Sequence, residues 1–293
     1  MAVAITGEQF TSVGEVELAY QAFGDPADPA VLLIMGLGAQ MIFWPEELCE
    51  ALAVAGHYVI RFDNRDAGRS TVLGEHEPPD LRLVAAGDLE PPYLLEHMAA
   101  DAVGLLDSLE IDRAHIVGAS LGGMIAQKVA IDHPDRVLSL ASVMSTTGDP
   151  DVGRPTPEAM AVLMTRAPTD RDGYVRTTIE ARAVIGTQPP DEGRTRELAE
   201  RAFDRGYHPD GTARQFAAVV ASPDRTPDLG AIEAPAVVVH GSDDPLITPS
   251  GGEATAAAIP NAELVVIAGM GHDLPPAHWG RIAEALIVNF ERS

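Results

Sequence analysis

The chain of 293 residues contains one cysteine, Cys49. No intramolecular disulfide can form, and a cysteine-rich metal site is excluded. Basic residues are scarce, with 20 Lys and Arg against 44 Asp and Glu, for a formal net charge of -24. An acidic surface repels phosphate backbones and anionic membranes, which argues against a nucleic-acid partner. The acidic residues are spread along the chain rather than gathered in a tail, so solubility is their simplest meaning. No run approaches the ~18 apolar residues of a membrane span. Met1 to Phe10 has no basic n-region and no long apolar stretch, so no signal peptide is expected. Internal repeats and low-complexity tracts are lacking too. The histidines and carboxylates show no ligand spacing such as His-Glu-x-x-His, so a metal centre is not expected. These absences leave a soluble cytoplasmic protein as the default.

What is present is a core-building composition, 46% hydrophobic. Apolar stretches alternate between two kinds. Val16–Phe23, Ala30–Met35, Tyr58–Phe62, His115–Val117 and Val137–Met144 read as strands. The run at Ala30–Met35 is continuous, as in a strand covered on both faces. Glu46–Ala55, Tyr93–Leu109 and Met124–Ala130 read as helices, the first with Pro45 at its start and Gly56 past its end. Cys49 falls in the first of these and reads as a small buried apolar residue. Strands alternating with helices argue for a mostly parallel twisted sheet with right-handed crossovers.

The alternation breaks after Ser145. Residues 146–230 hold helical stretches at Glu158–Thr165, Tyr174–Ile185 and Glu192–Arg205, separated by Pro and Gly, and no good strand. They read as an all-helical insertion. Strands resume at Ala236–His240 and Leu264–Ile267, and Trp279–Phe290 closes the chain as a helix. The expected organisation is a core of residues 1–145 and 231–293 with a helical cap of 146–230.

Chemistry concentrates at three strand ends. The first is Gly118-Ala119-Ser120-Leu121-Gly122, between a strand and a helix. A serine on so sharp a turn is exposed beside a helix N-terminus, which favours developing negative charge. Glycines two before and two after it remove side chains that would collide. A serine hydroxyl is a poor nucleophile at neutral pH and needs a base, itself oriented by an acid. Two aspartates, Asp243 and Asp244, follow the strand ending at His240. A histidine, His272, follows the strand ending at Ile267, between Gly271 and Asp273. The other histidines fit less well: His133 ends a helix, His57 and His115 open strands, and His240 precedes the acid. A tetrahedral intermediate needs two amide donors. Leu121 N–H, next to the serine, is one candidate. The glycine-flanked Leu37 N–H in Met35-Gly36-Leu37-Gly38 is the other.

With these motifs, and with Arg61-Phe62-Asp63-Asn64-Arg65-Asp66-Ala67-Gly68-Arg69-Ser70 and Gly269-Met270-Gly271-His272, the chain resembles the α/β-hydrolases over nearly its whole length. More narrowly it is similar to bacterial carboxylesterases related to aclacinomycin methylesterase. Shared features include Gly24-Asp25-Pro26-Ala27-Asp28-Pro29-Ala30 and the Met-Gly opening of the loop at Met35. Many hydrolases carry His-Gly there. The resemblance implies an α/β-hydrolase fold and hydrolysis of a small-molecule ester. Ser120, Asp244 and His272 would act as the triad, under a helical cap and without a cofactor. Gly-x-x-Asp-Pro matches the family's acid turn, which favours Asp244; Asp243 is the alternative.

The resemblance leaves the substrate open, a methyl ester of a polyketide-like compound being one reading. Thioesterases, carbon–carbon bond hydrolases, perhydrolases and cyclases share the motifs, and a non-catalytic binding protein could keep the fold. Methionine offers an adaptable apolar surface. Met35, Met144 and Met270 at strand ends, with Met160 and Met164 in the insertion, suggest a broad apolar substrate pocket. The alternative is that they are ordinary core residues.

Overall fold

The computed structural model describes residues 3–293. Met1 and Ala2, where the segment read above for a signal peptide begins, lie outside the described residues.

Eight strands form one sheet: β1 (Gln9–Val13), β2 (Val16–Phe23), β3 (Ala30–Ile34), β4 (Tyr58–Phe62), β5 (Ala114–Ala119), β6 (Val137–Val143), β7 (Ala236–Gly241) and β8 (Glu263–Ile267). Their spatial order is β1-β2-β4-β3-β5-β6-β7-β8. β1 and β2 pair antiparallel, as do β2 and β4; every later pairing is parallel. The helices are α1 (Glu46–Val54), α2 (Leu81–Ala86), α3 (Leu95–Ser108), α4 (Leu121–Asp132), α5 (Pro157–Leu163), α6 (Arg171–Ile185), α7 (Glu192–Gly206), α8 (Pro209–Ala221), α9 (Thr226–Leu229), α10 (Pro249–Ala258) and α11 (Trp279–Phe290).

Each central strand feeds two cores because successive side chains point to opposite faces. In β3, Leu32 and Ile34 pack with Leu105, Leu106, Ile125 and Val129 of α3 and α4. Val31 and Leu33 pack on the other face with Leu48 and Leu52 of α1 and Ile282, Leu286 and Phe290 of α11. Every residue of β3 is buried. Cys49 sits in the α1 face at 0% exposure, and burial pushes its thiol up to about 12.

Between β6 and β7 the chain forms α5 to α9 and no strand. Side-chain caps start three of these helices: Thr156 accepts from Ala159 N–H, Asp170 from Gly173 N–H and Asp191 from Arg194 N–H. Each satisfies one of the free amides of a first turn. Buried ion pairs tie this segment to the sheet. Arg214 of α8 grips Asp66 with two hydrogen bonds, 2.9 and 2.7 Å, and both side chains are almost fully buried. Tyr93 Oη donates to the same carboxylate at 2.7 Å. Burial alone would raise the Asp66 pKa, but these donors outweigh it and hold the carboxyl below its ordinary range. Arg205 of α7 pairs with buried Asp63 at 2.6 Å.

The sequence pattern does not mark β1. Its side chains are exposed or half-exposed, so the alternation that marks a half-buried strand is missing. It also leaves α2, α8 and α10 unread. The α8 and α10 helices begin at Pro209 and Pro249, prolines at a first helical turn that resemble loop punctuation when read alone. Among the described residues no helix is long and apolar enough to cross a membrane.

Candidate active site

Ser120 occupies the one-residue junction between β5 and α4 with φ +55°, a conformation that L side chains rarely adopt. The surroundings over-determine it. Its N–H donates to Val143 O at 2.9 Å, and its carbonyl accepts from Ser145 Oγ at 2.8 Å and Gly123 N–H at 2.9 Å. A β-carbon on Gly118 would run into the Gly122 carbonyl, and one on Gly122 into the Ile34 carbonyl. Both glycines are therefore demanded by close backbone approach, and the serine is held in a strained turn.

His272 comes from the loop after β8 and Asp244 from the turn after β7. His272 Nε2 lies 3.0 Å from Ser120 Oγ, and Nδ1 lies 2.7 Å from Asp244 Oδ2. A carboxylate only accepts, so Nδ1 carries the proton and Nε2 presents a lone pair to the serine hydroxyl. Asp244 is 2% exposed and His272 8%. The other Asp244 oxygen accepts from Leu246 N–H at 2.9 Å and Ile247 N–H at 3.0 Å, which fixes the carboxylate plane. Asp243 points elsewhere: its Oδ1 accepts from Ser242 Oγ at 2.6 Å on the surface.

The loop Met35-Gly36-Leu37-Gly38 passes beside the serine. A β-carbon on Gly36 would stand 3.1 Å from Ser120 Cβ and 3.6 Å from Oγ. Two side chains clamp the loop. Asn64 Nδ2 donates to Met35 O at 2.9 Å, and Gly38 N–H donates to Gln215 Oε1 at 2.8 Å. Gln215 in turn donates to Arg65 O at 2.7 Å. Among the described residues neither Leu37 N–H nor Leu121 N–H has a hydrogen-bond acceptor. Asn64 lies in a motif already singled out. Gln215 has no local signal, because its partner is 177 residues away.

His240, next to the last residue of β7, is fully buried, its Nε2 2.7 Å from Ile247 O and 3.6 Å from Asp244 Oδ2. Burial lowers its pKa and so favours the neutral ring. A carbonyl only accepts, so Nε2 carries the proton, and Nδ1 is left buried without a partner.

The methionines divide. Met35, Met144 and Met270 are buried in the cluster under α1 and α11. Met160 and Met164 are 42% and 61% exposed on α5 and at its end, so the five do not form one surface. A cleft of about 620 Å³ runs along α7 and takes in Glu8, Arg69 and Arg205, but none of Ser120, Asp244 or His272 lines it. Arg69 and Arg205 each pair with Glu8. Among the described residues no group of three or more His, Cys, Asp or Glu side chains is placed to hold a metal ion.

Residues 29–276 match the family described as the α/β hydrolase fold. The chain is 32% identical to rhodomycin D methylesterase of Streptomyces peucetius, with 94% of this chain and 95% of that protein covered. Among solved structures it superposes on 2-hydroxy-6-oxo-6-phenylhexa-2,4-dienoate hydrolase from a Rhodococcus species with a TM-score of 0.77. That pair is 22% identical and covers 99% of this chain and 100% of the other. A thermophilic esterase from Thermogutta terrifontis gives a TM-score of 0.71 at 25% identity, covering 98% of this chain and 99% of the other.

Proposed function

Because the chain belongs to the α/β hydrolase fold family, we propose that it hydrolyses carboxylic esters through Ser120, His272 and Asp244 and an acyl-enzyme intermediate. The observation that carries the reading is the pair of hydrogen bonds at 3.0 and 2.7 Å from Ser120 Oγ through the imidazole to Asp244. With Nδ1 protonated, Nε2 is free to take the serine proton as the oxygen attacks the ester carbonyl. Asp244 holds the ring and stabilises its cationic form. Leu37 and Leu121 N–H receive the oxyanion, since both are free to donate beside Ser120. His272 returns the proton to the leaving alcohol. Water then releases the acid by the same route.

The substrate in this proposal is a small to medium apolar ester, and residues 146–230 form the cap that covers it. Identity to a rhodomycin D methylesterase across nearly the whole chain supports a methyl ester on a polyketide-like skeleton as the natural class.

The test is turnover of p-nitrophenyl butyrate and of a methyl ester of an aromatic polyketide acid, run beside Ser120→Ala. Turnover that disappears in the variant supports the serine mechanism. Equal turnover in both proteins would sink it. Free methanol as a product would separate ester hydrolysis from other chemistry of the same triad.

A further inference from the structure

We propose that the last turn of α6 and the two residues after it, Arg182 to Thr187, latch His272 in register, with Thr187, Asp273 and Arg182 as positioning residues. The inference rests on the triad reading above and deepens it.

The loop that carries His272 is tied down by two different parts of the molecule. Up to Met270 it is fixed to the acid turn: Ser242 N–H donates to Ile267 O at 3.0 Å and Asp243 N–H to Met270 O at 3.1 Å. From Gly271 to Asp273 its ties run instead to α6. His272 N–H donates to Ile185 O at 2.7 Å, and His272 O accepts from Arg182 Nη1 at 3.1 Å. The histidine backbone is thus held from both sides by one helix end.

Thr187 bridges the neighbours of the histidine. Its Oγ1 accepts from Gly271 N–H at 2.9 Å and donates its only proton to Asp273 Oδ1 at 2.6 Å. Thr187 N–H donates to the same oxygen at 2.9 Å. The other Asp273 oxygen lies 3.6 Å from Arg182 Nη1. Packing is equally close: a β-carbon on Gly271 would stand 2.5 Å from Gly186 C and 2.7 Å from Thr187 N. No side chain fits between the helix end and the loop.

The helix end belongs to the segment between β6 and β7, whereas Ser120 and Asp244 are held by the sheet. The imidazole therefore meets both partners only while α6 is docked. Misplacing a catalytic group by about 1 Å from a remote position can cost up to about 100-fold in rate. Releasing the latch should thus lower kcat with little change in KM.

The experiment compares Thr187→Val, Thr187→Ser and Asp273→Ala with the wild type, and takes Ser120→Ala as the control. Valine keeps the shape and removes the hydroxyl; serine restores it. For each protein we would measure kcat and KM on p-nitrophenyl butyrate, Tm, and the far-downfield proton resonance of His272 Nδ1–H. The expected result for Thr187→Val is a kcat loss of roughly 10- to 100-fold with KM within about threefold. Its Tm should be close to wild type and its downfield resonance broadened or lost. Thr187→Ser recovers both readouts, and Asp273→Ala behaves as Thr187→Val does. Wild-type kcat and a sharp resonance in Thr187→Val and Asp273→Ala would overturn the latch. So would equal losses in the valine and serine variants that follow a fall in Tm. Full turnover by Ser120→Ala would strike the triad reading instead. The resonance, which needs no substrate, would then decide the latch alone: an unchanged signal in Thr187→Val and Asp273→Ala overturns it, and a lost one with unchanged Tm upholds it.

Discussion

His240 and His272 both face one oxygen of Asp244, at 3.6 and 2.7 Å. Only His272 donates a hydrogen bond to it. His240 spends its Nε2 proton on Ile247 O, and Ile247 N–H in turn donates to the other Asp244 oxygen. The buried ring thereby closes the turn around the carboxylate. His240→Ala should leave that carbonyl unpaired and open a cavity, costing about 2–4 kcal/mol of unfolding free energy. The loosened Asp244 should also lower kcat about tenfold. Denaturant unfolding and steady-state kinetics check both, and wild-type kcat in the variant would remove His240 from the acid's support.

The adjacent aspartates should separate cleanly. Asp244→Ala should lower kcat by about 10⁴-fold, the loss typical of a missing triad acid. Asp243→Ala loses only a surface hydrogen bond with Ser242 and should stay within about twofold. Steady-state kinetics on one ester decide it; comparable losses in the two variants would reopen the choice of acid.

Arg214→Ala should be among the most damaging changes outside Ser120, Asp244 and His272. It leaves Asp66 charged and buried with only Tyr93 and a backbone amide to satisfy it. Breaking such a pair costs about 3–5 kcal/mol, whereas Tyr93→Phe removes one hydrogen bond and should cost about 1 kcal/mol. Urea midpoints of the two variants measure the difference.

Acid should unfold the protein partly through His115. This ring stacks on Phe290 at 4.3 Å beside His57, and its Nδ1 meets Ser139 Oγ at 2.9 Å. Burial, with repulsion from His57 and Arg113, lowers its pKa from 6.5 to about 4. The unfolded chain therefore binds the proton more tightly. The His115 contribution is complete above about pH 6.5 and is lost as pH falls toward 4, to a total of about 3 kcal/mol. In His115→Gln the fall in stability over that window should be shallower than in the wild type. Identical slopes by denaturant titration would refute the assignment.

The parts legible in the sequence are those with local causes. Continuous apolar runs mark β3 and β5 because both faces of those strands are covered. Glycines around Ser120 stand out because backbone atoms occupy the space of their missing side chains. Asp244 and His272 follow strands, and the structure brings both to Ser120 in one hydrogen-bonded chain. The illegible parts have distant causes. Thr187 meets its partner at Gly271 across 84 residues, and Arg214 meets Asp66 across 148. Nothing near either residue in the chain distinguishes Arg214 from a solvated helix position or Thr187 from a solvated loop position. His240 fits the order of the sequence poorly because it precedes the acid, and only its contact with Ile247 O gives it a part.

Cys49 turns the whole core into a clock. The thiol has no solvent exposure, and burial holds it protonated far above neutral pH. A maleimide can reach it only in molecules whose α1 face has opened, since the thiolate is the reacting form. Under excess reagent, labelling follows the opening of that face, at its rate when closing is slow and at its equilibrium when closing is fast. With no second cysteine in the chain, each label marks one molecule that has opened at that face.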